Sequence, residues 1–349
     1  MQSFWNTLPK PFFAMAPMKD VTDPAWRGLV AELGEPDITF TEFVSADGLY
    51  HTREIKKMAD SENPLVRDLQ FSEAERPIVM QVFSSRPEMT AYAAQLAGEL
   101  GFDGLDINMG CPDRTIEHQG AGAALIKTPE LAVELIRAAQ EAGPLPVSVK
   151  TRVGFNTESL DEWLPVLLAA KPAAITLHLR TRKEMSLVPA HWELTKRAVE
   201  LRDKLAPGVL LIGNGDVQNL EEARARVAES GCDGVMIGRS MFGNPWVFAY
   251  IEQYRPNLSN TSSISLNASN LRLEKEQKIR KAGGRGTEEK LAALLELARR
   301  FEALSPPKHF AILKKHIKAF VTGFDGAAEL RARLMEAENA AELERIAMR

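Results

Sequence analysis

The chain has 349 residues, of which 45% are hydrophobic and 26% are charged, and its formal net charge is −4. This length and composition suit a globular protein with one large domain and a smaller one. No apolar run approaches the roughly 18 residues of a membrane span and no signal-peptide pattern opens the chain, so we expect a cytoplasmic protein without a membrane segment. Two cysteines and six scattered histidines favour neither a disulfide framework nor a metal site.

Short apolar or alternating runs predict a series of strands in the first two thirds of the chain. They lie at 12–18, 38–44, 77–83, 104–109, 146–153, 173–179, 209–214 and 234–237. Helical patterns lie between or after these strands, at 25–33, 87–100, 129–142, 159–170, 191–204, 220–229 and 244–254. Strands that alternate with helices over about 240 residues predict a (β/α)8 TIM barrel. A doubly wound open sheet is the alternative, although no Gly-x-Gly-x-x-Gly follows an early strand.

The chain beyond this barrel divides into a polar segment and a helical one. Residues 256–287 are rich in Ser and Asn and then in charged residues, which predicts a linker or insertion after a catalytic domain at 1–255. Apolar residues at helical spacing predict a small helical domain at 288–349. Its helices are expected near 291–301, 310–320 and 327–337.

The tail is also the basic part of the chain. Residues 271–349 hold 17 Lys and Arg against 12 Asp and Glu. This excess favours an anionic partner, with an ordinary solvated surface as the alternative. The second predicted helix of the tail carries Lys314, Lys315 and Lys318 opposite its apolar residues.

Polar residues gather at the ends of the predicted strands, where a TIM barrel carries its active site. A single polar residue there is common, because it can satisfy a backbone group, but polar residues at nearly every strand end favour a functional site. Cys232, before the last strand, is interpreted as a small buried residue. The candidates are Glu42, Gln81, Asn108, Cys111, Lys150, Arg152, His178, Arg180, Arg182, Asn214, Asp216 and Arg239.

Cys111 stands out because it follows an alternating strand directly. The turn Gly110-Cys111-Pro112 combines a permissive glycine with a proline that fixes its own φ, so it holds the thiol on a stiff turn. A cysteine placed in this way is a candidate acid or nucleophile. A small buried residue that happens to precede a turn is the alternative.

Two glycine-containing turns close the last two predicted strands. They are Gly213-Asn214-Gly215-Asp216 and Gly238-Arg239-Ser240. TIM barrels often bind phosphate at this position through backbone N–H groups, so the turns predict a phosphorylated ligand. Glycine as a simple turn former is the alternative.

Several motifs, in this order and spacing, closely resemble the signatures of the tRNA-dihydrouridine synthases. The resemblance covers nearly the whole chain except the linker, and it includes the helical tail, which is similar to the RNA-binding domain of that family. The motifs are Ala16-Pro17-Met18 with Val21-Thr22-Asp23, Asp106-Ile107-Asn108-Met109-Gly110-Cys111-Pro112, Gln119-Gly120-Ala121-Gly122-Ala123-Ala124-Leu125, Ser148-Val149-Lys150-Thr151-Arg152, and Asn214-Gly215-Asp216 with Gly238-Arg239.

The resemblance implies an FMN enzyme that reduces the C5–C6 double bond of uridine in tRNA, with NADPH as the reductant, and we expect the protein to be a monomer. The resemblance also implies that the flavin N5 delivers hydride to C6, that Cys111 gives a proton to C5, and that Lys150 places positive charge beside the flavin. The implied cofactor-binding residues are Pro17, Met18, Lys19, Gln81, Asn108, Lys150, His178, Asn214, Gly215, Asp216, Gly238 and Arg239. The implied RNA-binding residues are Arg152, Arg180, Arg182, Lys314, Lys315 and Lys318.

Two other functions remain open at this point. One is an FMN enzyme that acts on a free pyrimidine, of the dihydroorotate or dihydropyrimidine dehydrogenase type, although a small substrate has no use for a basic helical tail. The other is an inactive RNA-binding protein built on a barrel, which the presence of Cys111 and Lys150 disfavours.

Overall fold

Parallel strands form one closed sheet in the computed structural model, which describes residues 3–249 and 286–348. The pairing order is β1, β9, β8, β7, β6, β5, β4, β2, and β3 also pairs with β4. A parallel bridge between Ala14 and Ile38 closes the ring, confirming the predicted (β/α)8 barrel. The strands are β1 Phe12–Met15, β2 Thr39–Phe40, β3 Val44–Ser45, β4 Ile78–Phe83, β5 Gly104–Met109, β6 Val147–Arg152, β7 Ala174–His178, β8 Leu210–Asn214 and β9 Gly234–Ile237.

The second barrel strand, predicted as one run at 38–44, is split into β2 and β3. Phe40 pairs with Val79 and Val44 pairs with Val82, so the second strand has one residue more than its partner between these pairs. This is the geometry of a β-bulge. At the bulge, Thr41 Oγ1 accepts the N–H of Gln81 at 2.9 Å, where a regular ladder would use a backbone carbonyl.

Helices surround the barrel and follow its strands largely as predicted. Pro24 begins the first of them, and Asp23 caps it by accepting the N–H of Trp26 at 3.1 Å. The predicted helix at 244–254 is absent from its described part, because residues 245–249 form turns. The barrel helices are α1 Pro24–Leu33, α2 Ala46–Tyr50, α3 Pro64–Arg67, α4 Pro87–Glu99, α5 Arg114–His118, α6 Pro129–Ala142, α7 Leu160–Ala169, α8 Glu193–Leu205 and α9 Leu220–Ser230.

The C-terminal part is helical, as predicted, with a further short helix at its end. Nearly all of the predicted linker, at 256–285, lies outside the described residues. The C-terminal helices are α10 Thr287–Glu302, α11 Lys314–Phe320, α12 Ala327–Leu334 and α13 Ala340–Ala347. They share a continuous hydrophobic core with the outside of the barrel, where Trp26 of α1 packs against Phe320 with ring centroids 5.9 Å apart.

The barrel interior is apolar at its N-terminal end and polar at the other. Trp5 and Phe12 close the N-terminal end, with ring centroids 6.2 Å apart, and belong to a separate buried cluster with Phe40, Val79 and other interior residues. Because this cluster fills the N-terminal end of the interior, the space for a ligand lies at the C-terminal ends of the strands, where a TIM barrel has its active site.

Candidate active site

The loop after β5 holds the Cys111 thiol by hydrogen bonds to its backbone. Asn108 Oδ1 accepts the N–H groups of Gly110, at 3.1 Å, and of Cys111, at 2.9 Å. The Cys111 carbonyl in turn accepts the N–H of Ala123 at 2.9 Å. Burial raises the pKa of the Cys111 thiol, although a backbone hydrogen bond at Asp113 opposes the shift. The thiol is therefore protonated at neutral pH and can act as a proton donor.

A chain of buried polar groups supports Asn108 from below. Gln81 accepts from the Asn108 amide at 3.0 Å and donates to Asp106 at 2.7 Å, and Ser148 also donates to Asp106, at 2.6 Å. Burial raises the pKa of Asp106 to about 6, against the effect of these hydrogen bonds. Gln81, predicted to frame the cofactor, thus lies in the layer beneath the cavity, and its contact with a cofactor stays a prediction.

Lys150 points from β6 toward the end of β8. Its Nζ donates to Asn214 Oδ1 at 3.1 Å, and the Asn214 amide donates to the Met236 carbonyl at 2.8 Å. Burial, assisted by the charge of Arg152, lowers the pKa of Lys150 to about 8. The amine is still mainly charged at pH 7, and an anionic neighbour would hold its proton more firmly.

Ten of the twelve predicted cofactor residues, all except Lys19 and Gln81, line a cavity of about 250 Å³ at the C-terminal ends of the strands. A second cavity, of about 590 Å³, adjoins it and is lined partly by Lys19 and Phe83. Both cavities share Phe43, which sequence reasoning missed because the bulge in the second strand gives no local signal. The predicted residues that line the first cavity are Pro17, Met18, Asn108, Cys111, Lys150, Arg152, His178, Arg180, Asn214, Gly215, Asp216, Gly238 and Arg239.

The turn after β8 shapes one end of the first cavity. Gly215 has φ +143°, and a Cβ there would stand 2.6 Å from the Cβ of Ala190, so only glycine fits. The Asp216 carboxylate accepts from Arg180, from Arg239 and from the N–H of Ala190 at 2.8 Å. Burial alone would raise the pKa of Asp216, but these donors lower it, so the carboxylate stays charged.

Positive charge dominates the first cavity. Among the described residues that line it, one is acidic, Asp216, and four are cationic, Lys150, Arg152, Arg180 and Arg239. The nearby His178 stays neutral, because burial and these cations hold its pKa well below the usual value. The cavity therefore has a net positive charge, which suits an anionic ligand such as a phosphate ester.

The three arginines predicted to bind RNA differ in their surroundings. Arg152 is buried and donates to the carbonyls of Gly110, Thr181 and Met185, at 2.7 to 3.1 Å. Arg180 is also buried, and its Nε donates to the Val188 carbonyl at 2.6 Å.

Arg182 is partly exposed, forms a bidentate pair with Glu117, and has its guanidinium 5.5 Å from the centre of the Phe155 ring. In this arrangement Arg152 and Arg180 shape the cavity and its loops, and RNA contact by any of the three stays a prediction.

One of the predicted lysines of α11, Lys315, approaches the β1–α1 loop. Lys318 is exposed, whereas Lys314 and Lys315 are partly buried. The Nζ of Lys315 is 3.9 Å from Asp20 Oδ2 in that loop, which also carries Met18 of the cavity. This places a basic helix face near the active-site mouth.

A TIM barrel whose positively charged mouth carries a thiol and an amine in one cavity has the architecture of an enzyme active site. The chain belongs to the dihydrouridine synthase family, whose model matches residues 14–348. This confirms the resemblance found in the sequence motifs.

Among the described residues, no helix is long and apolar enough to cross a membrane. No group of three or more His, Cys, Asp or Glu side chains in that part of the chain could hold a metal ion.

Two relatives illustrate the similarity. The chain is 38% identical over 342 residues to a Staphylococcus epidermidis protein named "Probable tRNA-dihydrouridine synthase", covering 98% of this chain and 94% of the relative. It is also 38% identical over 343 residues to the Bacillus subtilis "Probable tRNA-dihydrouridine synthase 2", with the same coverage.

Among solved structures, histamine dehydrogenase from Rhizobium sp. 4-9 is similar with a TM-score of 0.52 and 17% identity, over 70% of this chain and 46% of that one. The chain thus spans about half of that structure, and the likeness is one of fold.

Proposed function

We propose that this chain is a tRNA-dihydrouridine synthase that uses FMN and NADPH to reduce the C5–C6 double bond of a uridine in tRNA. The observation that carries the proposal is the Cys111 thiol, which is kept protonated and fixed at the wall shared by the two cavities. A free-pyrimidine reductase would use similar chemistry, but the basic face of α11 near the mouth favours a nucleic acid.

The residues of the first cavity fit FMN. The positive charge of Arg239 and the turn at Gly215 suit its phosphate, while Pro17, Met18 and Asn108 line the space for a flat ring. FMN, when bound, supplies the hydride for C6 of uracil and is recharged by NADPH.

Cys111 and Lys150 have different roles in the proposed reaction, proton donation and stabilisation of negative charge. The protonated thiol gives its proton to C5, so that the thiolate formed must later regain a proton from solvent. Lys150 would hold its positive charge in the cavity proposed for FMN, where it could stabilise negative charge on the reduced cofactor. Asn108 keeps the thiol in place through its bonds to Gly110 and Cys111.

The substrate must present a uridine that has left its stack. Enzymes that act on a base in a folded nucleic acid extrude it at a cost of a few kcal/mol, which contacts elsewhere must offset. Backbone phosphates held by Lys314, Lys315 and Lys318 would supply such contacts, because phosphate binding by lysine dominates nucleic-acid affinity. The second cavity, with Phe43 and Phe83 in its wall, offers aromatic surface for the extruded base.

The test is reconstitution of the reaction. Purified protein is incubated with FMN, NADPH and unmodified tRNA transcript, and nucleosides are analysed by mass spectrometry for dihydrouridine. We expect dihydrouridine to form with tRNA and not with free uracil or orotate. Turnover of a free pyrimidine alone would favour the dehydrogenase alternative, and a protein that cannot bind FMN would overturn both.

A further inference from the structure

The C-terminal part inserts one lysine into a buried group of carboxylates on the barrel. The Lys308 side chain is 3% exposed, and its Nζ lies 3.1 Å from Asp68 Oδ1, 3.2 Å from Glu42 Oε2 and 3.7 Å from Asp23 Oδ2. The three carboxylates are themselves at most 5% exposed. We call these four residues the Lys308 cage.

Other cations near the cage pair with Asp68 or with groups outside the cage, and none of those in the described part of the chain forms an ion pair with Glu42 or Asp23. Arg67 donates to Asp68 at 2.9 and 3.0 Å and to the carbonyls of Pro306 and Pro307. Arg27 is paired with Glu75 at 2.8 Å, and the Lys19 Nζ, whose side chain is 47% exposed, lies 3.8 Å from Asp68. Among the described residues, Lys308 is thus the cation that forms ion pairs with Glu42 and Asp23.

The cage also holds the β1–α1 loop, at 16–23, which lines the first cavity. Glu42 Oε1 accepts the N–H of Val21 at 3.2 Å, and Asp23 caps α1. Within the loop, Thr22 Oγ1 accepts the N–H of Met18 at 2.9 Å. Two of the three carboxylates therefore fix the loop that presents Met18 to the cavity.

We propose that Lys308 is a positioning residue that makes cofactor binding in the barrel depend on the docking of the C-terminal helical part. The proposal rests on the proposed function, because it takes FMN as the ligand of the first cavity. Without the Lys308 amine, Glu42 and Asp23 would be buried charges with no ion pair, an arrangement that proteins avoid by rearranging or by taking up a proton. Rearrangement would release the loop and weaken FMN binding.

Proton uptake by Glu42 and Asp23 would make FMN binding depend on pH when Lys308 is absent. Burial already raises the pKa of Glu42 and of Asp23, and Lys308 is the largest influence that lowers them. Asp68 raises both further, while Lys19 acts on Glu42 and Arg27 on Asp23 in the lowering direction. Removing Lys308 should therefore raise both values, so that the cage is neutral at low pH and carries unpaired charge at high pH.

The experiment compares FMN affinity in three variants of the full chain. Lys308→Met removes the charge, Lys308→Arg keeps it, and Arg300→Met breaks another ion pair between the same two parts, from Arg300 to Glu32 at 2.7 and 3.0 Å. FMN fluorescence titrations run from about pH 5.5 to about pH 8.5, a window above the usual carboxyl pKa.

We expect the Kd for FMN of Lys308→Met to rise by about tenfold or more across this window relative to the parent. Lys308→Arg and Arg300→Met should follow the parent curve. The double variant Lys308→Met/Glu42→Gln, which removes one of the two unpaired negative charges together with the amine, should recover part of the affinity and lose part of the pH dependence, because Asp23 still titrates. The double variant also provides a test of the proposal if Lys308→Met alone does not fold.

The outcomes separate the two proposals. A parent that binds no FMN would overturn the proposed function. A parent that binds FMN, together with a folded Lys308→Met that binds it equally at every pH, would overturn the role of Lys308. The same conclusion follows if Arg300→Met loses affinity as Lys308→Met does, or if the double variant recovers none, because the effect would then reflect general loosening of the interface.

Discussion

The thiol of Cys111 can serve as an acid because its burial favours the neutral form and Asn108 fixes its loop. We expect Cys111→Ala to bind FMN and to accept electrons from NADPH at nearly the parent rate. Its reoxidation by tRNA should slow by a factor of about 10² or more, the scale of a lost general acid. Stopped-flow absorbance of the flavin measures both half-reactions.

The matched control for this variant is the other cysteine. Cys232 is buried just before β9, with its Sγ 3.2 Å from the Ser230 hydroxyl and 3.3 Å from the Gly234 carbonyl, and it does not line the cavity. Cys232→Ala should reduce tRNA at close to the parent rate. Equal losses in both variants, or loss of FMN from Cys111→Ala, would show that the thiol has a structural role.

The raised pKa of Asp106 predicts that the free energy of unfolding depends on pH. Burial raises this pKa in the folded protein to about 6, above the ordinary value of 3.8, so the folded state holds its proton more tightly than the unfolded state. The stabilisation from this proton is complete below the unfolded pKa and is lost as pH rises through about 6. The difference corresponds to roughly 2 kcal/mol between pH 4 and pH 7.

The measurement is the free energy of unfolding of the parent and of Asp106→Asn at several pH values. Asparagine does not titrate, so the variant should be relatively more stable at pH 7 than at pH 4, on top of a constant cost from its altered bonds to Gln81 and Ser148. A difference between the two proteins that does not change with pH would contradict this assignment.

At the scale of single elements, α11 predicts how tRNA binding responds to salt. Replacing Lys314, Lys315 and Lys318 by Ala should weaken tRNA binding and flatten its dependence on salt by up to about 0.7–0.9 log units per lost phosphate contact. Lys318 should contribute most because it is exposed, and Lys315 less because it lies near Asp20. FMN binding and NADPH oxidation should not change.

A matched pair of exposed lysines provides the control. Lys196 and Lys204 lie on α8, on the outside of the barrel. Lys196→Ala/Lys204→Ala should keep the parent affinity and salt slope in filter-binding assays. If the salt dependence of tRNA affinity is unchanged in the α11 variant, the RNA-binding surface lies elsewhere. Arg182 and the exposed Lys183 at the barrel mouth are then the next candidates.

At the scale of the whole molecule, the shared core predicts that the barrel and the C-terminal helices unfold together. Phe320 is fully buried against Trp26 of the barrel. Phe320→Ala should lower the free energy of unfolding by about 3–5 kcal/mol, the usual cost of a large cavity. Tryptophan fluorescence and circular dichroism should still show one coincident transition in urea.

Met348→Ala is the control for this variant, because Met348 is 74% exposed and its loss should cost little. Two separate transitions in the parent, with only one affected by Phe320→Ala, would show that the parts are independent domains.

The sequence by itself determined the barrel, the position of Cys111 on its turn and most of the cavity lining. These features come from local signals: alternation in strands, helical spacing, and turns rich in glycine and proline, which depend on residues near one another in the chain. The ends of parallel strands meet at one side of a barrel, so placing residues such as Asn108, Lys150 and Asp216 at strand ends was enough to bring them together.

Only the tertiary structure decided the bulge at Thr41, the inward position of Gln81 and the partners of Arg152 and Arg180. It also decided the pairing of Lys308 with Glu42, residues 266 positions apart. A lysine in the sequence predicts a solvated surface charge, because lysine is almost never fully buried unless it is paired. Whether it finds a buried carboxylate depends on how the helical tail packs on the barrel, which no local pattern records.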